Sequence, residues 1–240
     1  VSPQQEALSK MDVFHTFPEE EQREILEIVE FCALCLEKYF KDFNIPKIEQ
    51  GRFFVFTNET APEGHEKSFG IYDPKLHLFG VREDALYRPK VYLHEMIHFI
   101  AKEKLPESKN TGYQFSVQEE IDNELVSYTF YTALNEGMTD LMTEEAYSFF
   151  YNDLKHFFEE YDGMDSFVSA YSDSIIFVQK LIEYNALILS TDENIPEEEA
   201  HAQVWNLLKK GYLTNDVKYL EELLETFGDS DTEKEQVLSS

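Results

Sequence analysis

Residues 89–104 read Pro-Lys-Val-Tyr-Leu-His-Glu-Met-Ile-His-Phe-Ile-Ala-Lys-Glu-Lys. His94 and His98 are four positions apart, so on a helix they share a face and both rings can hold one zinc ion. Glu95 points about 100° round the helix from His94. From that flank its carboxylate can reach a water on the metal without becoming a ligand itself, a spacing suited to metal-assisted hydrolysis. Two histidines do not make a site. The three fixed residues recur by chance in roughly a few per cent of chains this acidic, and two structural histidines on an ordinary helix have the same spacing. A catalytic zinc takes three protein ligands and keeps one position open, so a third ligand must come from elsewhere.

The helix that carries the pair is predicted from Pro89 onward, with Leu93, Met96, Ile97 and Ile100 on one side and Tyr92 and Phe99 on another. Such a helix is buried nearly all round. Buried imidazoles need partners for their nitrogens, and a metal backed by further acceptors supplies them. Upstream, residues 1–15 lack periodicity and are expected as a flexible lead-in. Thr16 and Glu19 have capping-box spacing around Pro18. They open a helix whose stripe runs through Ile25, Ile28, Val29, Cys32, Cys35, Leu36, Tyr39, Phe40 and Phe43. The aromatic run at 51–57 reads as a buried strand. Segments 69–72 and 76–81 flank Asp73-Pro74-Lys75 as a hairpin, with His77 as a strand-face residue.

Downstream, 113–119 and 125–132 form a second predicted hairpin around Ile121-Asp122-Asn123. Helical periodicity returns at Met138 and runs to Phe158, breaks at Tyr161-Asp162-Gly163, and resumes over 175–189, 196–210 and 216–226. The expected class is α+β, with a small mixed or antiparallel sheet packed on a central metal-binding helix. Its parts are the lead-in (1–15), an N-terminal α+β lobe (16–134), a helical lobe with the third ligand (135–228), and a disordered polar tail (229–240).

Composition narrows the partners. Twenty basic residues against 48 acidic ones give a net charge of −28. A surface that negative repels phosphate backbones and anionic lipid, so nucleic acid is not expected. Hydrophobic residues make up 42% of the chain, with 20 Phe and 14 Tyr, enough for a substantial core. No apolar run approaches the roughly 18 residues of a membrane span. The chain begins at Val1 without a charged-then-apolar leader, which fits either export with the leader removed or a cytoplasmic protein. Cys32 and Cys35 have Cys-x-x-Cys spacing, but they lie on the apolar stripe of a helix with no second pair, so reduced core thiols are expected.

Candidates for the third ligand lie in Leu134-Asn135-Glu136-Gly137-Met138-Thr139-Asp140. Glu136 and Asp140 share a helical face, so one can bind metal while the other accepts a hydrogen bond from the back nitrogen of a ligand histidine. A three-histidine arrangement of the metzincin kind needs Gly at 101 and His at 104, where this chain has Ala101 and Lys104. The pair His-Glu-x-x-His and Asn-Glu-x-x-Thr-Asp resembles the gluzincins, the thermolysin-like zinc metallopeptidases, whose second motif is Asn-Glu-x-x-Ser-Asp. It is also similar to small bacterial metallopeptidase-like proteins of uncharacterised activity with a Leu-Asn-Glu-Gly-x-Thr stretch. The likeness covers roughly residues 69–158.

The resemblance implies His94, His98 and Glu136 as zinc ligands, Glu95 as general base, Asp140 orienting His94 and Asn135 supporting His98. It implies a zincin-like fold and a zinc-dependent metallopeptidase acting within peptide or protein chains. The Gly-x-Met-Glu-Asn motif of related aminopeptidases is absent, which disfavours amino-terminal trimming. The gap between His98 and Glu136 is longer than in thermolysin, so the cleft is expected to differ. Stabilising the oxyanion needs a Tyr or His donor near the metal. Tyr171 is the first choice, with Tyr128, Tyr161 and His156 behind it. Substrate is expected to add as a strand along an exposed edge at 76–81. Two other outcomes stay open: a zinc-containing scaffold or binding module with little catalysis, and a helix with no metal at all.

Overall fold

The structure, a computed structural model, describes residues 3–102, 111–121, 124–159 and 172–225. It is an α+β protein, mainly helical with a small mixed sheet. Two compact units emerge, Val1–Ile100 with Met142–Val168, and Ala101–Leu141 with Ser169–Ser240. This differs from the single division expected between 134 and 135. Helix α4 (Thr132–Phe149) has its first turns in the second unit and the remainder in the first.

In the first unit, the aromatic run forms β1 (Phe53–Phe56), and the predicted hairpin forms β2 (Gly70–Asp73) and β3 (Leu78–Arg82). The strand order is β1-β3-β2, with β1 parallel and β2 antiparallel to β3. Because β3 is hydrogen-bonded on both sides and buried at every residue, it cannot be the exposed edge expected at 76–81. The outer strands are β1 and β2. At the hairpin turn the Asp73 carboxylate accepts from the amides of Lys75 (2.8 Å) and Leu76 (2.9 Å). His77 belongs to that turn rather than to a strand, with φ of 51°.

The expected lead-in is largely helical, as α1 (Pro3–Met11). Its Leu8 and Met11 pack against a cluster of Phe54, Phe56, Ile71 and Leu78. After it, the Asp12 carboxylate accepts from the Val55 amide (3.1 Å) and the Val13 amide donates to the Val55 carbonyl (2.8 Å), occupying outer backbone groups of β1. Helix α2 (Glu19–Tyr39) buries Ile25, Ile28, Val29, Cys32, Ala33, Cys35 and Leu36, as its periodicity predicts. The capping box does not form. Pro18 holds the cap position, and the Thr16 hydroxyl donates instead to the Val13 carbonyl. Glu19, Glu20 and Glu21 complement the positive end of the helix dipole.

Helix α3 (Pro89–Ile100) packs on α2, β2 and β3 and buries every residue except Lys90. Tyr92 stacks on Phe53 and Phe99 meets Phe79 edge-on. Lys90 forms a 2.7 Å ion pair with Glu144 of α4. Tyr39 of α2 donates to Glu145, and Phe31 stacks on Phe157 of α5 (Tyr151–Phe157). These contacts hold the second half of α4 and α5 within the first unit.

The second unit contains the other predicted hairpin, β4 (Phe115–Ile121) antiparallel to β5 (Glu124–Phe130). It also contains α6 (Ser172–Glu193), α7 (Glu197–Thr214) and α8 (Lys218–Glu225), which pack on one another. Asn215 ends α7 in the left-handed conformation, and its side-chain amide donates to the carbonyls of Ala101 (2.6 Å) and Gly112 (3.0 Å). Among the described residues no helix is long and apolar enough to cross a membrane. The expected break at 161–163 and the tail at 229–240 lie outside the described residues.

Candidate metal centre

One turn of α3 separates His94 from His98, and the apolar surroundings of the helix leave them only 7% and 6% exposed. Their Nε2 atoms stand 3.2 Å apart, with the rings inclined at 74°. Glu136 comes from the beginning of α4. This helix opens at Thr132, six residues before the predicted periodicity, so Asn135, Glu136 and Asp140 all belong to it. One ligand atom from each of His94, His98 and Glu136 lies within 4.8 Å of the others, forming a group that could hold a metal ion.

The donor chemistry fits a cation. Two neutral imidazole nitrogens and one carboxylate oxygen are three Lewis bases with one negative charge among them. Two nitrogens bound at about 2.0–2.1 Å in tetrahedral geometry stand about 3.3 Å apart. The observed 3.2 Å matches that separation. A hydrogen bond between two neutral imidazoles has a similar length, but it needs no carboxylate beside both nitrogens. Asp140 is 2% exposed and lies one helical turn beyond Glu136.

Glu95 is 8% exposed. Its side chain runs against the backbone of β2 at Gly70, where a Cβ would meet Glu95 Oε1 at 2.5 Å. Two positions further along β2, the Tyr72 ring lies nearly parallel to that of His98, with centroids 6.2 Å apart. The Tyr72 hydroxyl is 3.1 Å from His77 Nδ1, and the His77 ring stacks on Phe99 at 4.0 Å. Burial, with a smaller contribution from the Asp73 charge, pushes the Tyr72 phenol well above its ordinary range. It is therefore a protonated donor at neutral pH. Neither Gly70 nor Tyr72 was singled out from the sequence. The available signal was their place in a predicted hairpin shortly before the metal helix, but nothing local says which strand meets that helix.

The oxyanion-donor candidates fare differently. Tyr171 and Tyr161 lie outside the described residues, and Tyr128 falls in β5, whose side chains lie outside the description. His156 is an exposed residue of α5, 3.6 Å from Glu159. Asn135 is fully buried, but its carbonyl oxygen accepts from the Tyr113 amide (3.0 Å) rather than from His98. Its Nδ2 finds no hydrogen-bond partner among the described residues. Asn135 thus fixes the backbone at Tyr113, whose own hydroxyl donates to the Leu208 carbonyl within the second unit. Nearby, the hydroxyls of Thr139 and Tyr212 are 2.6 Å apart.

No protein-family model matches the chain, and neither the curated proteins nor the solved structures contain a match to it.

Proposed function

We propose that the protein is a zinc-dependent metallopeptidase of the gluzincin type that cleaves within peptide or protein chains. The observation that carries this reading is the convergence of His94, His98 and Glu136, with Glu95 beside them on the same helix as the histidines. Two nitrogens and one oxygen suit zinc, and a site of three protein ligands leaves a position for chemistry. Bound there, zinc would polarise a peptide carbonyl and make water a nucleophile near neutral pH. Glu95 accepts a proton from the attacking water and returns it to the leaving amine as the carbon–nitrogen bond breaks. Such general acid–base catalysis contributes about 10²–10⁴-fold. Asp140 serves as acceptor for the outward nitrogen of a ligand histidine, the role that the gluzincin resemblance gives it toward His94. Tyr72, whose ring lies beside that of His98 and whose hydroxyl meets His77, would supply the donor for developing negative charge, the role expected of Tyr171.

Within the proposal, the sheet with α3 packed on it corresponds to a zincin-like core, and the substrate edge moves from 76–81 to the outer strand β2. The test is hydrolysis of unfolded casein by the full chain, with and without a chelator, alongside Glu95→Gln. Wild type cleaves, chelation abolishes cleavage, and Glu95→Gln keeps its zinc while losing at least about 10²-fold in rate. Cleavage that survives chelation, or an active Glu95→Gln variant, contradicts the mechanism. A second reading, a zinc-holding scaffold with little turnover, is favoured by the burial of His94, Glu95 and His98. It predicts stoichiometric zinc with no cleavage in the same assay.

A further inference from the structure

We infer that Gly70 is a positioning residue for Glu95: the absence of a side chain on β2 at this point sets where the carboxylate lies. The inference rests on the reading of Glu95 as general base. A Cβ at Gly70 would stand 2.5 Å from Glu95 Oε1, 2.6 Å from Glu95 Cγ and 2.8 Å from Val91 Cγ1. Carbon atoms in contact normally sit about 3.5–4.0 Å apart. Swinging the terminal oxygen alone would not relieve the overlap, because Cγ is also inside contact distance. Relief requires rotation about the first side-chain bond, which carries the whole carboxylate with it. Val91 is 1% exposed and Glu95 8%, so both side chains are packed away from solvent.

The requirement is for space, not for backbone freedom. Gly70 does not have a positive φ, and it pairs in regular antiparallel register with Val81. A glycine within a strand is then the mark of a close approach by another group. Gly80 on β3 provides the control. A Cβ there would meet the Phe54 ring at 2.5 Å, so it is equally crowded in the same sheet, but by the core and not by Glu95.

Gly70→Ala, Gly80→Ala and Glu95→Ala, with the double variant Gly70→Ala/Glu95→Ala, separate the possibilities in the full chain. Gly70→Ala is expected to keep its zinc and a KM within about twofold of wild type while kcat falls about 100-fold, the effect of misplacing a reacting group by about 1 Å. Gly80→Ala is expected to lose stability but hold kcat within about threefold. Denaturant unfolding supplies a readout without activity. Gly70→Ala is expected to lower the folding equilibrium constant about tenfold more in the wild-type background than in Glu95→Ala, where both Glu95 contacts are gone and only the Val91 contact remains. Equal losses in both backgrounds, or an unchanged kcat, overturn the inference. If Gly70→Ala does not fold, its folding in the Glu95→Ala background supports the inference and failure in both overturns it. An inactive wild type that still shows the coupling contradicts the peptidase reading while confirming that Gly70 positions Glu95.

Discussion

Two helices of the first unit, α2 and α3, pack on each other, and each carries a pair of metal-binding residue types at helical spacing. Cys32 and Cys35 are 0% and 4% exposed, and His94 and His98 are 7% and 6% exposed. By spacing and burial the pairs are nearly equal, but their surroundings differ. The cysteines are free thiols on the apolar face of α2. Burial pushes both thiols up, Cys35 to about 11, so neither is a thiolate at neutral pH. The histidines turn their Nε2 atoms toward each other and have a carboxylate within reach of both. A pair of ligands becomes a candidate site through its third member and through whether the setting favours the metal-binding protonation state.

The largest expected effect on this contrast comes from removing a histidine. His98→Ala should reduce zinc from one ion per chain to below detection by elemental analysis after gel filtration, a loss exceeding the 10–100-fold typical of an outer partner. Full zinc content in this variant would show that the histidines are not the ligands. Asp140→Asn comes next. The acceptor role proposed for it predicts a zinc affinity about 10–100-fold weaker, measured by competition with a chelator, with the helical spectrum retained. The smallest effect belongs to the other helix. Cys32→Ala should leave zinc content unchanged and cost about 1 kcal/mol of stability through lost packing. A related pH effect follows from the raised thiol of Cys35. Its contribution is intact below the unfolded thiol value of roughly 8.5 and is lost as pH rises toward about 11. Denaturant midpoints should fall across that window, and Cys35→Ala should lessen the fall while the raised Cys32 thiol keeps part of it.

What could be read from sequence tracks the range over which the physics acts. Helix α2, helix α3 and both hairpins announce themselves through local periodicity, whereas spacing leaves Glu136 and Asp140 as alternative ligands and only the resemblance chooses Glu136. Helix α1 did not, because nine residues hold too few turns for a period and its burial comes from Leu8 and Met11 meeting a distant sheet. Helix α4 begins ahead of its first periodic residue because 132–137 contains little apolar surface to reveal a stripe. Strand order was out of reach for a similar reason. The parallel pairing of β1 with β3, which buries 78–82 and puts β2 outside, depends on contacts between segments more than twenty residues apart. Gly70 and Tyr72 gain their significance only from that order, since it brings β2 against α3.

The most direct measurement is the zinc K-edge X-ray absorption spectrum of the zinc-loaded chain. A centre at His94, His98 and Glu136 predicts one zinc per chain with a nitrogen and oxygen shell at about 2.0–2.2 Å, the multiple-scattering signature of two imidazoles, and no sulfur. A sulfur shell at about 2.3 Å would move the metal to Cys32 and Cys35, and failure to load stoichiometric zinc would contradict a metal centre at His94, His98 and Glu136.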